Sequence, residues 1–232
     1  MKILAVDTSA NVATAAVISD GKLIAESILN HKKTHSEKIM PMIDGVLKDS
    51  EIGINDIDLF AVANGPGSFT GLRIGVSTVK ALAHATNKPI VGISTLEAMA
   101  YNLFDVDGLI SPIMDARRSQ VYNAVYRFKK GRLCEVTEPR ALAIEECLDG
   151  FAGEEKVYFL GDGVPVHEEI IKKTMGERAV IAPITALLQR ASSLAVLAEE
   201  KFNEGKADTY QSLMPFYLRK SQAEREYEEK NK

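Results

Sequence analysis

The chain has 232 residues, of which 46% are hydrophobic and 26% are charged, and its formal net charge is −4. This length suits two lobes of roughly 100 residues each. Proteins that bind nucleic acid with their own surface usually present a basic face, because phosphate neutralisation dominates their affinity. The acidic balance argues against a dedicated nucleic-acid binder and indicates that a second chain would hold most of any RNA.

Cysteine usage and hydropathy indicate the compartment. Cys134 and Cys147 are the only cysteines, which is too few for a disulfide framework and too widely spaced for a zinc site. We interpret them as reduced packing residues of a cytosolic protein. The first residues lack the apolar stretch and cleavage site of a signal peptide, and no run reaches the roughly 18 apolar residues of a membrane span. We therefore expect a cytoplasmic protein without a membrane segment.

Apolar runs and turn residues predict an α/β pattern in the first half of the chain. Residues 2–6, 12–18 and 23–29 predict an antiparallel meander with a hairpin turn at Asp20-Gly21. Thr34 and Glu37 have the spacing of a capping box that opens a helix, and apolar residues then recur at helical intervals. The predicted elements after the meander are a helix at 36–47, a strand at 58–63, a helix at 70–86, a strand at 89–93 and a helix at 95–103.

A second unit with a similar opening follows. Each unit starts with a strand that ends in an aspartate, Asp7 or Asp115, and continues into a second strand. This weak repeat predicts two α/β lobes, at residues 1–106 and 107–220, followed by a charged tail at 221–232 that buries too little apolar surface to stay ordered. The predicted elements of the second unit are strands at 109–114, 120–128 and 157–160 and helices at 144–148, 166–175 and 187–203.

A glycine-rich stretch at residues 64–75 follows a strand and opens a helix. Backbone N–H groups and the helix dipole can hold a phosphate at such a place, but the glycine spacing matches neither a dinucleotide fingerprint nor a P-loop. The alternative is a tight turn with Ser68 or Thr70 capping the helix. Gly71 and Gly75 lie one turn apart and are costly inside a helix, so either the chain's own sheet or a helix of another subunit packs closely there.

The segment from Gly65 to Gly75, Gly-Pro-Gly-Ser-Phe-Thr-Gly-Leu-Arg-Ile-Gly, resembles the signature of the TsaB family, the accessory subunits of the machinery that makes threonylcarbamoyladenosine in tRNA. Further segments that resemble this family lie at residues 5–9, 35–37, 92–98, 114–117, 161–163 and 215–219. Together they cover nearly the whole chain.

The resemblance implies an α/β, two-lobed, actin-like ATPase (ribonuclease H-like) fold, with a mixed sheet flanked by helices in each lobe. It also implies a non-catalytic partner of TsaD, the homologous catalytic subunit, acting together with the small ATPase TsaE. Family members form homodimers when alone and contact tRNA only indirectly. No cofactor is expected to be held firmly by this chain alone, and ATP or ADP at the interface of the complex stays an open alternative.

The resemblance also indicates which chemistry is lost. TsaD-like enzymes hold a metal through two histidines four residues apart, and the matching residues here are Thr95 and Met99, which are poor ligands. We therefore predict no metal and no catalytic residue. The remaining candidates for a degenerate nucleotide site are Asp7, Thr8, Ser9, Asp115, Arg117, Gly161 and Gly163.

Plainer roles exist for these candidates. Asp7 could simply hold the first hairpin, and Gly161 and Gly163 could form a strand-end turn. Arg117 and its neighbour Arg118 could form ion pairs between the lobes or contact a partner.

The chain contains four histidines, a residue type that often binds metal ions. His31 and His35 are four residues apart, but the capping box places His31 outside the helix, so we do not predict a metal there. His84 and His167 are isolated, and we expect them to be structural or solvated.

Two helices in the first lobe are candidates for binding a partner, because both are apolar over more than the stripe that one core face needs. Two such helices from each chain would form a four-helix bundle. The alternative, that both apolar faces cover the chain's own sheet, stays open. The predicted interface residues are Ile39, Met42, Ile43, Val46, Leu72, Val76 and Val79.

Two other functions compete with the partner subunit. A stand-alone small ATPase or phosphotransferase would bind adenine nucleotide by itself and depend on Asp7. A metalloprotease would carry a metal, although no Ser/His/Asp or Cys/His arrangement can be argued from the spacing of the residues.

Overall fold

A computed structural model describes residues 1–31, 35–151, 153 and 155–219. Two five-stranded mixed sheets form the framework, with strand orders β3-β2-β1-β4-β5 and β10-β9-β6-β7-β8. In each sheet the first strand pairs antiparallel with the second and parallel with the fourth, so the two sheets have the same topology. The strands are β1 (Lys2–Asp7), β2 (Val12–Ser19), β3 (Lys22–Asn30), β4 (Leu59–Gly65), β5 (Ile90–Ser94), β6 (Leu109–Asp115), β7 (Gln120–Lys129), β8 (Arg132–Ala143), β9 (Val157–Leu160) and β10 (Ala179–Ile181).

Within the described residues six α-helices flank the sheets, and the predicted fold class is confirmed: this is the two-lobed, actin-like α/β architecture. The helices are α1 (His35–Asp49), α2 (Phe69–Thr86), α3 (Thr95–Tyr101), α4 (Ile144–Asp149), α5 (Val164–Met175) and α6 (Ala191–Asn203). None of the described helices combines the length and apolar character that crossing a membrane requires.

The first sheet is covered on both faces, which explains why β1 is almost continuously apolar. Leu4 and Val6 face α1 and α2, whereas Ile3 and Ala5 face α6. Alternate residues of the strand therefore enter two separate cores. The second sheet packs in the same way against α4 and α5, with Cys147 and Ile171 fully buried among strand residues.

A short helix joins the two lobes. α3 lies between the sheets, and its side chains share one apolar core with strands of the second lobe. Because this core is continuous across the boundary, packed apolar side chains close the base of the space between the lobes. The core residues contributed by α3 and the second sheet include Leu96, Met99, Ala100, Ile110, Tyr126 and Leu160.

The structure corrects the predicted division of the chain. The sequence predicts α6 within a second lobe at residues 107–220, but Leu194, Ala195 and Ala198 are buried against the first sheet. The chain after α6 also returns there, since Asp208 forms a bridge to Ile90 at the edge of β5. The returning segment covers a sheet edge and a sheet face that the first 106 residues leave bare.

Most predicted elements are confirmed within a few residues, and two strands were missed. β8 was overlooked because its charged, half-exposed sequence has little apolar periodicity, and β10 has only three residues. Thr34 of the predicted capping box and the predicted frayed tail at 221–232 lie outside the described residues.

Candidate functional site

A cavity of about 590 Å³ lies between the lobes. Its walls come from the β1–β2 turn and the start of α2 in the first lobe, from the β6–β7 turn in the second lobe, and from the chain after α6. The lining residues that matter below are Ser9, Phe69, Asp115, Arg117, Asp162, Tyr217 and Arg219.

The β1–β2 turn is closed on itself. Asp7 Oδ1 accepts a hydrogen bond from the Ser9 N–H at 2.7 Å, and the Asp7 side chain is almost fully buried. Burial raises the pKa of Asp7, because removal from water disfavours the charged form. The Thr8 hydroxyl donates to the Gly71 carbonyl at 2.7 Å. These contacts give Asp7 the plainer of its two predicted roles, that of shaping the first hairpin.

The glycine loop packs directly onto this turn. The Ser68 N–H donates to the Ser9 carbonyl at 2.7 Å, and Ser68 Oγ caps α2 by accepting from Gly71 N–H at 3.3 Å. A Cβ atom at Gly71 would lie 2.1 Å from the Thr8 carbonyl oxygen, and one at Gly75 would lie 2.4 Å from Thr8 Oγ1. The two glycines are therefore required by the chain's own β1–β2 turn and not by a helix of another subunit.

The β6–β7 turn faces the first from the opposite lobe and is more open. Asp115 Oδ1 accepts from the Arg117 N–H at 2.8 Å, and the Ala116 N–H donates to Gln120 O at 2.9 Å. Arg117, Arg118 and Ser119 have φ angles of 62°, 55° and 57°, in the left-handed region that glycine adopts more readily. The small turn that would let phosphates approach is thus built from larger residues.

Gly161 and Gly163 support this turn from beneath. A Cβ at Gly161 would lie 2.1 Å from the Ile113 carbonyl oxygen, and the Gly163 N–H donates to the same oxygen at 3.1 Å. Between them, Asp162 Oδ1 accepts from the Asp115 N–H at 3.2 Å. Burial, together with the nearby Asp115 charge, raises the pKa of Asp162 to about 6. The glycines therefore serve close packing at the end of a strand.

The cleft collects most of the predicted nucleotide-site residues but offers phosphate little. Cradles for phosphate depend on free backbone N–H groups, and those of Ser9, Ala116 and Arg117 are bonded within the chain. The carboxylates of Asp115 and Asp162 line the cavity and would repel an anion that came without a metal ion. The arginines that line the cavity are the exposed Arg117 and the partly buried Arg219.

The described residues contain no group of three or more His, Cys, Asp or Glu side chains placed to hold a metal ion. Thr95 and Met99 are completely buried, the latter in the core between the lobes. His35 Nε2 lies 2.6 Å from the Ala10 carbonyl oxygen. His84 stacks on Tyr210 with ring centroids 4.3 Å apart, and His167 is nearly buried on α5.

Arg117 and Arg118 form no ion pair within the part of the chain that the structure describes. Contact between the lobes at the mouth of the cleft comes instead from Arg219, whose Nη1 donates to the Ala116 carbonyl at 2.9 Å. Sequence reasoning missed this role because Arg219 is 103 residues away from Ala116 and no local pattern connects them.

The predicted interface residues require a correction. The side chains of Ile39, Ile43, Val46, Val76 and Val79 are at most 3% exposed, inside the core under the first sheet, and Met42 is partly buried against it. Leu72 is also buried, at 1% exposed. A side chain buried in its own core is not available to a second chain. The apolar faces of α1 and α2 thus cover the sheet, as the alternative interpretation had it.

The outer faces of the two helices are different in character. α2 exposes Arg73, Ser77 and Ala81, and α1 exposes Met40 and Asp44. The four-residue spacing along each helix could have revealed these stripes. An apolar pattern does not mark them, because apart from Met40 they consist of polar, charged or small residues. Small residues such as Ser77 and Ala81 allow another helix to approach closely.

The topology and the cleft define a two-lobed protein of the actin-like class. A family model described as "TsaD: tRNA N6-adenosine threonylcarbamoyltransferase" matches residues 22–227. The chain is 38% identical over 233 residues to the tRNA threonylcarbamoyladenosine biosynthesis protein TsaB of Bacillus subtilis (strain 168), covering 100% of both chains. It is 30% identical over 229 residues to the TsaB protein of Escherichia coli (strain K12), covering 96% of each.

A solved structure shares the fold over almost the whole chain. YeaZ from Pseudomonas aeruginosa superposes with a TM-score of 0.81 at 25% identity, over 94% of this chain and 99% of that one. The chain belongs to the TsaB family, and its role lies in the biosynthesis of threonylcarbamoyladenosine in tRNA.

Proposed function

We propose that this chain is a non-catalytic partner subunit, which binds and activates the homologous catalytic subunit TsaD together with the ATPase TsaE in the cytoplasm. The interior of the cleft carries this proposal. In each of the two turns that would have to receive phosphates, a backbone donor is used internally: Ser9 N–H is bonded to Asp7, and Arg117 N–H to Asp115. Because these donors are bonded within the chain, they are not available to stabilise charge in a phosphoryl or adenylate transition state.

The position matching the metal ligands of TsaD-like enzymes supports the same proposal. Thr95 and Met99 are both 0% exposed, and Met99 contributes to the apolar core between the lobes. A metal needs ligands that line an accessible space and an open coordination position for catalysis. A site filled with apolar side chains cannot supply either.

The outer faces of α1 and α2 are the proposed partner surface. Ser77 and Ala81 keep the α2 surface low, so that a facing helix could pack closely, and Met40 on α1 is 47% exposed. Two helices from each chain would then form a four-helix bundle, with TsaD in the complex and with a second copy when the chain is alone. With its net charge of −4, the chain would meet tRNA only indirectly.

Reconstitution tests this proposal. TsaD from the same organism is incubated with TsaE, ATP, tRNA and threonylcarbamoyl adenylate, with and without this chain, and modified tRNA is measured. We expect product only when the chain is present, and none from the chain alone. Equal product without the chain would refute the partner role.

A matched pair of substitutions tests the surface. Ala81→Arg places a long charged side chain on the exposed face of α2, whereas Val136→Arg does the same at an exposed position on β8, where the native valine is 50% exposed. We expect Ala81→Arg to abolish formation of the complex with TsaD, as measured by size-exclusion chromatography, and Val136→Arg to retain it. Retention by both would move the interface elsewhere.

A stand-alone ATPase or phosphotransferase is the competing function, and the 590 Å³ cavity gives it space. We propose that the chain alone holds no cofactor, and that any ATP or ADP at the complex interface depends on groups from the partner. Calorimetry of the isolated chain with ATP and Mg²⁺ decides this. Turnover that disappears in Asp7→Asn would favour the competing function. A metalloprotease, the third candidate, finds no support among the described residues.

A further inference from the structure

The chain after α6 forms a strap, defined here as residues 213–219, that runs from the first lobe to the mouth of the cleft. On the first lobe it is firmly seated. Leu213 is 2% exposed in the core beneath β5, and its carbonyl accepts from Lys80 Nζ at 2.9 Å. The Phe216 N–H donates to the Asn64 carbonyl at 2.6 Å.

Two glycines form the seat of the strap. A Cβ at Gly65 would lie 2.2 Å from the Phe216 carbonyl oxygen, and one at Gly92 would lie 2.5 Å from Leu213 Cδ1. Gly65 also has a φ angle of 129°, which residues with a side chain rarely adopt. The first glycine of the Gly-Pro-Gly stretch therefore serves the strap, a role unrelated to binding phosphate.

The middle of the strap contacts the exposed side of α2. The Tyr217 ring packs against Phe69 with centroids 4.7 Å apart. The Arg73 guanidinium lies over the Phe69 ring, with its central carbon 3.9 Å from the ring centroid. Arg73 Nε also donates a hydrogen bond to Tyr217 Oη at 3.2 Å. Arg73 belongs to the outer stripe of α2, so the strap is in direct contact with that face.

The far end of the strap reaches the other lobe. Arg219 Nη1 donates to the Ala116 carbonyl at 2.9 Å, and Ala116 belongs to the β6–β7 turn. That turn contains three consecutive residues in left-handed conformation, so its order depends on support from its surroundings. The Arg219 bond is one such support, and it comes from outside the second lobe.

We propose that the strap is a mechanical link between the outer face of α2 and the β6–β7 turn. A change in the contacts that α2 makes with the strap then changes the order of the turn across the cleft. Arg73 and Tyr217 form one end of the link, and Arg219 forms the other. The link runs along the mouth of the cleft and is separate from the apolar core around α3 at its floor. A partner seated on α2 would be one source of such an event, but the link itself can be tested on the isolated chain.

Hydrogen–deuterium exchange of the full-length chain measures the order of the turn through the Ala116 and Gln120 amides, both of which are hydrogen-bonded within it. In Arg219→Ala we expect these amides to exchange about tenfold faster. Loss of one hydrogen bond to a charged group corresponds to about this factor in the opening equilibrium. The amides of β1 serve as a reference for global stability and should not change.

The control removes an arginine from the lobe that contains the β6–β7 turn. Arg127 on β7 forms a surface ion pair with Glu155 and does not touch the strap, so Arg127→Ala should leave exchange in the turn unchanged. Faster exchange of the turn amides in Arg127→Ala, or an unchanged exchange rate in Arg219→Ala, would overturn the support assigned to Arg219.

A double-mutant cycle tests the coupling itself. Arg73→Ala acts on α2, and we expect it to speed exchange of Ala116 and Gln120 about threefold, since it loses a weaker contact. In the Arg219→Ala background the same substitution should have no further effect on the turn. Tyr217→Phe, which keeps the ring and loses only the hydroxyl, should reproduce Arg73→Ala. An Arg73→Ala effect that is absent, or that persists without Arg219, refutes the link.

Discussion

The two turns that face each other across the cleft occupy equivalent places in two sheets of the same topology, and the chain completes them differently. The β1–β2 turn is buried, with Thr8 and Ser9 covered by the glycine loop. The β6–β7 turn is exposed, with Arg117 in left-handed conformation. The comparison teaches that the topology assigns the place of a ligand site, while local packing decides whether that place can still receive one.

Both turns stand on the core between the lobes, so the largest expected effect comes from that core. Met99→Ala should lower the free energy of unfolding by about 2–5 kcal/mol, because it removes a fully buried side chain and leaves a cavity. Met40→Ala, at a position 47% exposed on α1, is the control and should change it by less than about 0.5 kcal/mol. Urea denaturation followed by circular dichroism measures both. Similar losses of unfolding free energy in the two variants would contradict a stabilising core around Met99.

The second turn should add a dependence on pH through Asp162. Its folded pKa of about 6 lies above the ordinary 3.8, so the folded chain binds a proton more tightly than the unfolded chain. The contribution of Asp162 is therefore fully present below pH 4 and is lost as the pH rises through 6, by at most about 3 kcal/mol. Urea midpoints measured between pH 4 and pH 7 should show this fall in the native chain and a smaller fall in Asp162→Asn. Identical slopes would contradict it.

The first turn should be intolerant of any added atom. Gly71→Ala would bring a Cβ within 2.1 Å of a backbone oxygen, and we expect a loss of about 1–3 kcal/mol from the resulting strain. Gly45→Ala is the matched control on α1, where a Cβ would meet nothing within 4 Å. It should stabilise the chain by up to about 1 kcal/mol, because alanine favours a helix. A Gly71→Ala variant as stable as Gly45→Ala would show that the turn is not closed.

The smallest effect is expected from introducing a glycine into the second turn. Arg117→Gly relieves the left-handed conformation at φ 62° but gives the unfolded chain more freedom, so the net gain should be about 0.5 kcal/mol. The control is Arg127→Gly within β7, which should lose about 1 kcal/mol because glycine weakens a strand. Thermal unfolding of the two variants gives the comparison. A destabilised Arg117→Gly variant would mean that the arginine side chain supports the turn.

Local features were predictable because they depend on neighbours in the chain. Short apolar runs placed β1, β2 and β9, and helical spacing of apolar residues placed α1 and α2, within one or two residues of their ends. Ser68 was among the two predicted caps and is the one used. The resemblance of the Gly65–Gly75 segment pointed to the family, which the comparisons confirm.

The sequence by itself determined the α/β class, the duplicated opening of the lobes, the glycine requirement after β4 and the replacement of ligand histidines by Thr95 and Met99. Only the tertiary structure decided what each glycine approaches, which face of α1 and α2 is buried, and where the chain goes after α6. The physical reason is range. An apolar stripe has the same appearance whether it meets its own sheet or a partner, and the contacts of Gly65 with Phe216 and of Ala116 with Arg219 join residues more than 100 positions apart.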